Sequence, residues 1–389
     1  MIALVNAEEL VRPVADEIRL MAAQAEAERR LPDELVERLM EGGLFSIYTP
    51  RAFGGLDLPL PDALSVVEEV SRHDGSTGWT VALGIANGLF TAVLPEASAA
   101  RVLGSGSALI AGAPAFGVRA ERAEGGYRLT GRWAFNSGAP NATWIAAAAP
   151  IVADGAPRLD DGGQPEMVIA FLPPADVQII DTWYVTGLRA TGTQDLYVDG
   201  VFVPDEMTGG FALPAGPRHV REVRLTNIPF FSLVGLAQSP PVCLGLARRA
   251  IEEFRQLALA KERPFGPRLS EQVQAQVGLA HAEALVRSAR TFWYANVQAI
   301  WDAASRRCEL TPEALAVLRL SCLTAVENSV TAADTLYRLA GSSAIFQSSP
   351  LERCWRDLHT AAQHLQVQDG RWETAGRVLF GLDPGSPLL

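Results

Sequence analysis

The stretch that decides the fold of this chain is Gly341-Ser-Ser-Ala-Ile-Phe-Gln-Ser-Ser-Pro-Leu-Glu-Arg-Cys-Trp-Arg-Asp-Leu-His-Thr-Ala-Ala-Gln-His364. It begins with a turn of small residues and continues into a segment with the composition of a helix. A lone histidine, His364, stands at the far end of that segment. The pattern predicts a turn that leads into a helix, with an imidazole near the helix end.

Helical patterning surrounds this stretch through the C-terminal part of the chain. Long segments rich in alanine, leucine, arginine and glutamate carry apolar residues along one side, which is typical of helices that pack together. These segments run over residues 241–262, 271–306, 312–339 and 351–367. Four such helices in succession predict a four-helix bundle.

The rest of the chain divides into two regions of different texture. Residues from about 6 to 105 place apolar side chains at three- and four-residue intervals, which predicts helices. After Ser107, glycine, proline and β-branched residues punctuate short alternating runs, which predict a small β-barrel or sandwich. The sequence therefore predicts an α+β fold with an N-terminal helical domain (1–107), a middle β-domain (108–216) and a C-terminal helical bundle (217–389).

Composition and charge exclude several classes of partner. The 389 residues carry a formal net charge of −11 at pH 7, which argues against nucleic acid and anionic membrane surfaces. The 4 cysteines lie far apart without a Cys-x-x-Cys pair, so neither a disulfide framework nor a structural zinc site is expected. No histidine, aspartate or glutamate cluster has the spacing of a metal site, and we expect no metal.

The cell compartment follows from the cysteines and from two further segments. The N-terminus reaches acidic residues without a basic region, unlike a secretory signal. The longest apolar run, Thr77 to Leu94, is interrupted by polar residues and glycines, so it predicts a buried helix rather than a membrane span. Because free cysteines suit a reducing environment, we expect a cytoplasmic protein without a membrane partner.

Several motifs occur in the order of a known family. Phe53-Gly54-Gly55, Gly131-Arg-Trp-Ala-Phe-Asn-Ser-Gly138 and the segment 181–204 resemble a turn, a flavin strand and the closing stretch of the β-domain in the acyl-CoA dehydrogenase superfamily. The resemblance covers about residues 8–382 and includes the three-part order of the chain. It implies the acyl-CoA dehydrogenase fold.

Three further features resemble one subgroup of that superfamily, the group D flavin-dependent monooxygenases, which include two-component aromatic hydroxylases. Trp183 with Gly187-Leu-Arg-Ala-Thr-Gly192 is similar to one motif of the subgroup, and Ser349-Pro-Leu-Glu-Arg-Cys-Trp-Arg-Asp357 is similar to another. His364 stands where the subgroup has a histidine. The chain is therefore identified as a monooxygenase-like member of the superfamily.

The resemblance implies a reaction and its components. Such an enzyme binds reduced flavin, FAD or FMN, between the β-domain and the bundle, and forms a C4a-hydroperoxide with O₂ that oxygenates a small aromatic or cyclic metabolite. The chain shows no dinucleotide fingerprint or phosphate loop, so reduced flavin is expected from a separate reductase. The subgroup also implies a homotetramer, with a dimer as the alternative.

An acyl-CoA dehydrogenase or oxidase acting on a CoA thioester is the first alternative. That reaction needs a carboxylate base, and the position where many family members carry it holds Leu365. Other members place the base on an earlier helix, but residues 225–236 contain no acid. A homologue that binds a ligand or partner without redox chemistry is a second alternative.

The resemblance implies three catalytic residues. His364 is expected to act as acid or base, since an imidazole titrates near neutral pH, although a packing histidine at a helix end is the alternative. Ser137 is expected beside flavin N5, with a turn serine as the alternative. Asn87 stands where many members carry a second histidine, and it is expected to orient the substrate or to be satisfied inside the helical domain.

The resemblance also implies cofactor-binding residues. Phe135 and Asn136 precede Ser137 in the flavin strand, and Ala113-Pro114 is expected to lie along the flavin or to form a simple turn. Gly341-Ser342 is expected at the phosphates of a neighbouring subunit's flavin, with a helix cap as the alternative. The remaining expected phosphate contact is Arg263.

Overall fold

A computed structural model describes residues 6–104, 108–113, 117–210, 228, 233, 238–261 and 266–386. The N-terminal part is helical, as expected. Asn6 accepts hydrogen bonds from backbone N–H groups of the first turn and begins the first helix. The helices are α1 Ala7–Glu28, α2 Asp33–Glu41, α3 Leu60–His73, α4 Gly75–Gly88 and α5 Glu96–Leu103.

Helix α4 contains the first part of the apolar run, to Gly88, and it is buried; a 3-10 helix, Leu89–Val93, follows it. The Asp74 carboxylate caps its N-terminus by accepting from the Thr77 N–H at 2.8 Å. Gly78 lets α3 and α4 approach closely, because a Cβ there would lie 1.9 Å from the Ser71 hydroxyl. Within the described part of the chain, no helix is both long and apolar enough to cross a membrane.

The middle region is a mixed sheet. Its main path runs in the order β7-β8-β3-β2-β4-β6-β9, with β1 and β5 also paired to β4. Strand β1 runs parallel to β4 with Ile110 opposite Trp144, whereas β3 and β8 form a long antiparallel pair. The strands are β1 Ile110–Ala113, β2 Arg119–Ala123, β3 Gly126–Asn136, β4 Trp144–Ala153, β5 Ala156–Pro157, β6 Met167–Leu172, β7 Gln178–Ile180, β8 Gln194–Pro204 and β9 Thr208–Gly210.

Within the described residues, the C-terminal part contains the four expected helices and one more. The helices are α6 Ser239–Ala260, α7 Val273–Ser305, α8 Pro312–Ala340, α9 Pro350–Ala361 and α10 Gly370–Leu379. Helix α9 ends earlier than the sequence pattern indicates. His364 has φ −65° and ψ 135°, and it precedes a short 3-10 turn, Leu365–Val367, rather than continuing the helix.

Among the residues that the structure describes, two hydrophobic cores hold the fold together. One is shared by the N-terminal helices and the C-terminal bundle, and the other fills the β-domain. Leu109, Leu188 and Ala190 come from the β region but pack in the helical core. The loop around residue 188 therefore joins the two layers, and the candidate site lies beside it.

The three-part α+β fold is confirmed. The boundaries between the three predicted domains stay predictions, because residues 105–107 and 211–227 lie outside the described part of the chain.

Candidate functional site

The expected catalytic residues Ser137 and His364 meet at one side chain, Trp79 of α4. The Trp79 indole Nε1–H donates to Ser137 Oγ at 3.1 Å. The Trp79 and His364 rings meet edge to face, with centroids 5.6 Å apart and an interplanar angle of 71°. An N-terminal helix, the turn after β3 and the segment after α9 thus form one cluster.

Ser137 is held in place by the turn after β3. Its side chain is buried, with only 4% of the residue exposed. The next residue, Gly138, has φ +77° and donates its N–H to Thr191 O at 2.7 Å. The flavin-strand motif is therefore tied directly to the 187–193 loop.

A row of hydroxyl groups runs from Ser137 into that loop. Ser137 Oγ lies 2.8 Å from Thr193 Oγ1, and Thr193 Oγ1 lies 2.6 Å from Thr191 Oγ1. The Thr191 hydroxyl donates to Leu188 O at 2.8 Å. All three hydroxyl side chains belong to buried residues, and each has a hydrogen-bond partner within the protein.

Helix α9 fixes the far end of this row. Asp357 Oδ1 accepts the Leu188 N–H at 2.6 Å, while Leu188 itself has a left-handed backbone with φ 51°. Gly187 allows this approach, because a Cβ there would lie 2.2 Å from Arg356 O. The two motifs that carry the monooxygenase resemblance are therefore in contact.

The Asp357 carboxyl group is unusual in its charge environment. Burial and the nearby Asp74 raise the pKa of Asp357 to about 7, although the Leu188 N–H and two arginines oppose this. The adjacent Arg356 pairs instead with Glu352 and Glu26, both at 2.6 Å. The arginine of this motif therefore forms ion pairs with α9 and with α1.

The His364 ring is held in its neutral form. Burial, followed by the positive charge of Arg319, lowers the pKa of His364 to about 4. The residue as a whole is half-buried. His364 Nδ1 accepts the Gln366 N–H at a long 3.4 Å, and Arg319 Nη1 donates to Gln366 O at 3.1 Å.

Two asparagines that the sequence singled out use their amide hydrogens on the backbone. Asn87 Nδ2 lies 3.1 Å from Ile110 O and 3.4 Å from Gly112 O, which ties α4 to β1. Asn136 Nδ2 donates to Trp133 O at 2.8 Å. Asn87 thus offers any ligand only the oxygen of its amide.

An exposed aromatic surface borders Ser137. Phe135 has a left-handed backbone, with φ 63°, and 68% of it is exposed. Its ring meets Trp183 edge to face at 6.3 Å, and the exposed Tyr184 ring carries Arg29 at 4.0 Å. Exposed aromatic rings near Ser137 offer a surface that fits a planar heteroaromatic group such as flavin.

The other expected cofactor residues are spread over the fold. Ala113 ends β1, and Pro114 and Arg263 lie outside the described residues. Gly341 ends α8 with φ +61°, and the exposed Ser342 follows in a 3-10 turn. The Lys261 ammonium donates to Ala340 O at 2.8 Å and fixes this helix end.

Sequence reasoning missed three residues of the cluster. Trp79 and Thr193 lie inside or next to quoted motifs, but nothing in their spacing showed that they would meet Ser137. Arg319 did leave a signal, because it is a charged residue on the apolar side of α8 and is only 3% exposed. Among the described residues, no group of three or more potential ligands could hold a metal ion.

Comparison with known proteins agrees with this geometry. Family models described as "Acyl-CoA dehydrogenase, N-terminal domain" and "Acyl-CoA dehydrogenase, C-terminal domain" match residues 7–100 and 237–369. Indole-3-acetate monooxygenase from Pseudomonas putida is 30% identical over 385 residues, or 97% of this chain and 94% of that protein.

Two further similar proteins have names that mention a reduced flavin. The oxygenase component of an FADH(2)-dependent resorcinol hydroxylase from Rhizobium sp. is 31% identical over 397 residues, 96% of this chain and 94% of that protein. The structure of XiaF from Streptomyces sp. in complex with FADH2 and glycerol is 26% identical and has a TM-score of 0.88. The structural match covers 98% of this chain and 97% of the XiaF chain.

Proposed function

Because this chain belongs to the flavin-dependent monooxygenases of the acyl-CoA dehydrogenase superfamily, we propose that it oxygenates a small aromatic or cyclic metabolite. When bound, reduced flavin supplies the electrons that activate O₂ for this reaction. The named relatives act on indole-3-acetate and resorcinol, which supports an aromatic substrate. The residues of the chain itself bind the flavin, orient the substrate and exchange protons with it.

The observation that carries the proposal is a neutral imidazole beside the expected flavin contact. Ser137 and His364 share Trp79, and the pKa of His364 is lowered, so its ring is uncharged at neutral pH. A neutral imidazole can accept a proton from a phenol, amine or enol and so make the substrate more nucleophilic. On protonation, His364 Nδ1 would lose only its long bond from Gln366.

The remaining expected residues have supporting roles in this proposal. Ser137 faces flavin N5, and Phe135 gives the ring system an aromatic surface. Asn136 acts by shaping the strand end, since its amide bonds to the backbone. Asn87 would orient the substrate through its amide oxygen, because its hydrogens face β1. Ala113, Pro114, Arg263, Gly341 and Ser342 complete the proposed set of cofactor contacts.

A separate reductase and a homotetramer also belong to the proposal. A relative described as an oxygenase component implies a second protein that reduces the flavin. The turn that follows α8 exposes Ile345 and Phe346, at 62% and 61%, next to the Gly341-Ser342 segment. Such apolar side chains suit burial against another subunit, where the segment would reach a neighbouring flavin.

The dehydrogenase alternative lacks its base in this cluster. Leu365 replaces the expected carboxylate, and the nearby buried carboxyl group, Asp357, is directed at the Leu188 N–H. In the described part of the chain, none of the hydrogen bonds made by the side chains of Ser137, Trp79 and His364 is to a carboxylate. We therefore favour oxygen transfer.

The proposal is tested by following the fate of O₂. The protein is given chemically reduced FMN or FAD, ¹⁸O₂ and a panel of phenols and indoles, and the products are analysed by mass spectrometry. The proposal expects one ¹⁸O atom in the product of at least one aromatic compound. Turnover of acyl-CoA esters without ¹⁸O incorporation would instead establish the dehydrogenase alternative.

A further inference from the structure

The hydroxyl row between Ser137 and Leu188 has a defined direction. A carbonyl oxygen can only accept a hydrogen bond, so the single hydroxyl hydrogen of Thr191 is directed at Leu188 O. The Thr191 oxygen must then accept from Thr193 across their 2.6 Å contact. Since Thr193 has used its hydrogen, it must accept from Ser137 across 2.8 Å.

Ser137 is therefore left without a hydrogen to offer. It donates to Thr193 and accepts from the Trp79 indole N–H, which has no acceptor capacity of its own. One lone pair of Ser137 Oγ remains. A ligand atom that faces this oxygen is bound favourably when it carries a hydrogen and unfavourably when it presents a lone pair.

We propose that Thr191 and Thr193 are positioning residues that make Ser137 a hydrogen-bond acceptor and so select the reduced form of the flavin. This rests on the proposed function, in which Ser137 faces flavin N5. Reduced flavin carries a hydrogen on N5, whereas oxidised flavin presents a lone pair there. The row thus distinguishes the two redox states of the cofactor at a single atom.

The selectivity is finite, because the row can be reversed. If Ser137 turned its hydrogen toward oxidised flavin, it would lose its bond to Thr193, unless Thr193 and Thr191 turned as well and Thr191 released Leu188 O. That carbonyl would keep the Trp183 indole N–H at 3.0 Å, so the reversal loses one hydrogen bond rather than leaving a buried carbonyl unpaired. Loss of one such bond corresponds to a selectivity of roughly threefold to tenfold.

Helix α9 fixes the residue at which the row of hydroxyl groups ends. Asp357 accepts the Leu188 N–H, which fixes the orientation of residue 188 in its left-handed backbone. Gly138 also binds Thr191 through the backbone, by its N–H to Thr191 O. The end of the row is thereby fixed by contacts that do not involve the hydroxyl groups themselves.

The test compares the affinities for the two flavin forms in threonine variants. Thr193→Val removes the acceptor of the Ser137 hydrogen, and Thr191→Val frees Thr193 to donate back to Ser137. Anaerobic titrations measure Kd for reduced and for oxidised flavin, and the midpoint potential of the bound flavin gives an independent readout. Thr208→Val is the matched control, since its hydroxyl also donates to a backbone carbonyl in the β-domain.

Both valine variants are expected to lower the ratio of oxidised to reduced Kd by roughly threefold to tenfold relative to the parent. A tenfold change lowers the midpoint potential by about 30 mV for a two-electron couple. Thr193→Ser restores the hydroxyl and should keep the parent ratio, as should Thr208→Val. These variants also separate the effect from a loss of folding.

The outcomes separate the two proposals. If the parent binds reduced flavin and incorporates oxygen but the Thr191→Val and Thr193→Val ratios equal that of the parent, the hydroxyl row does not select the redox state and only this inference is overturned. If the parent binds neither flavin form, the proposed function fails and the inference fails with it.

Discussion

At His364 the structure supplies a reason for a histidine that the sequence could only place by resemblance. The ring lies against Trp79 and near the charge of Arg319, and both burial and that charge disfavour its protonation. The lowered pKa means that the ring is neutral over the whole physiological range. A histidine with an ordinary pKa of about 6.5 would be half protonated in mild acid.

Replacement of this histidine tests its role. His364→Gln is expected to lower kcat for oxygenation by about 10²–10⁴-fold, the range of a lost general acid–base group. Because the folded pKa is about 4, protonation of His364 should leave the parent rate unchanged from pH 8 down to about pH 5 and lower it only below that. The measurement is the steady-state rate of product formation across this pH range.

The control for this prediction is His359→Gln. His359 lies on α9 and pairs with Asp334 at 2.9 Å, away from Trp79. Its replacement should change the rate by no more than a factor of about two. That is smaller than the change expected when a hydrogen bond in the site is lost. A parent rate that falls by half near pH 6.5 would contradict the structural account of His364.

The sequence named candidate residues for the site, but it did not indicate which side chains they contact. The flavin-strand motif pointed to Ser137, but its bonds reach Trp79 and Thr193, which are 58 and 56 residues away in sequence. Such contacts depend on how the loop after residue 187 folds back, and no local pattern encodes that. The partners of Asn87 could not be predicted either. They are two carbonyl groups of β1, and no sequence pattern indicates that β1 packs against α4.

At the level of elements, the contact between α9 and the 187–193 loop depends on the Asp357 carboxyl group. The raised pKa means that, between about pH 4 and 7, the folded protein binds a proton here that the unfolded chain does not. The contribution of this group to stability therefore falls as pH rises through that window. Asp357→Asn keeps an oxygen for the Leu188 N–H and removes the charge.

Asp357→Asn is accordingly expected to raise the free energy of unfolding at pH 8 by about 1–3 kcal/mol, with little change at pH 5. Urea unfolding at both pH values measures this difference. Asp302→Asn, a change at an exposed carboxylate on α7, should alter stability little at either pH. A variant that is less stable than the parent at pH 8 would show that Asp357 is needed as an anion.

The link between α4 and β1 depends on Asn87. Asn87→Ala removes its amide donor from Ile110 O and Gly112 O, and should lower the free energy of unfolding by about 1–3 kcal/mol. Asn296→Ala is the control, because that amide bonds within α7 at the surface. Equal effects of the two changes in urea unfolding would mean that the α4–β1 bonds contribute nothing.

The order of elements was predictable because each region has one dominant periodicity. Helices α6 to α8 follow their apolar stripes closely. The end of α9 was not predictable, since residues 362–367 keep a helical composition. There the chain leaves the helix, and His364 accepts the Gln366 N–H in place of a helical bond.

At the scale of the whole molecule, the proposal requires subunits that meet at the turn after α8. Phe346→Glu places a charge in this exposed apolar turn and should dissociate the proposed tetramer into smaller species. Size-exclusion chromatography with light scattering measures the change. Phe380→Glu, which alters an exposed phenylalanine after α10, is the comparison. An unchanged mass for Phe346→Glu would place the subunit contact elsewhere.

The proposed function requires that this fold activates O₂ on a reduced flavin. The most direct measurement loads the protein anaerobically with reduced FMN or FAD, mixes it with oxygenated buffer and follows the near-ultraviolet spectrum. We predict a long-lived absorption band that belongs to neither oxidised nor reduced flavin. Immediate return to the oxidised spectrum, both alone and with aromatic compounds present, would contradict the claim.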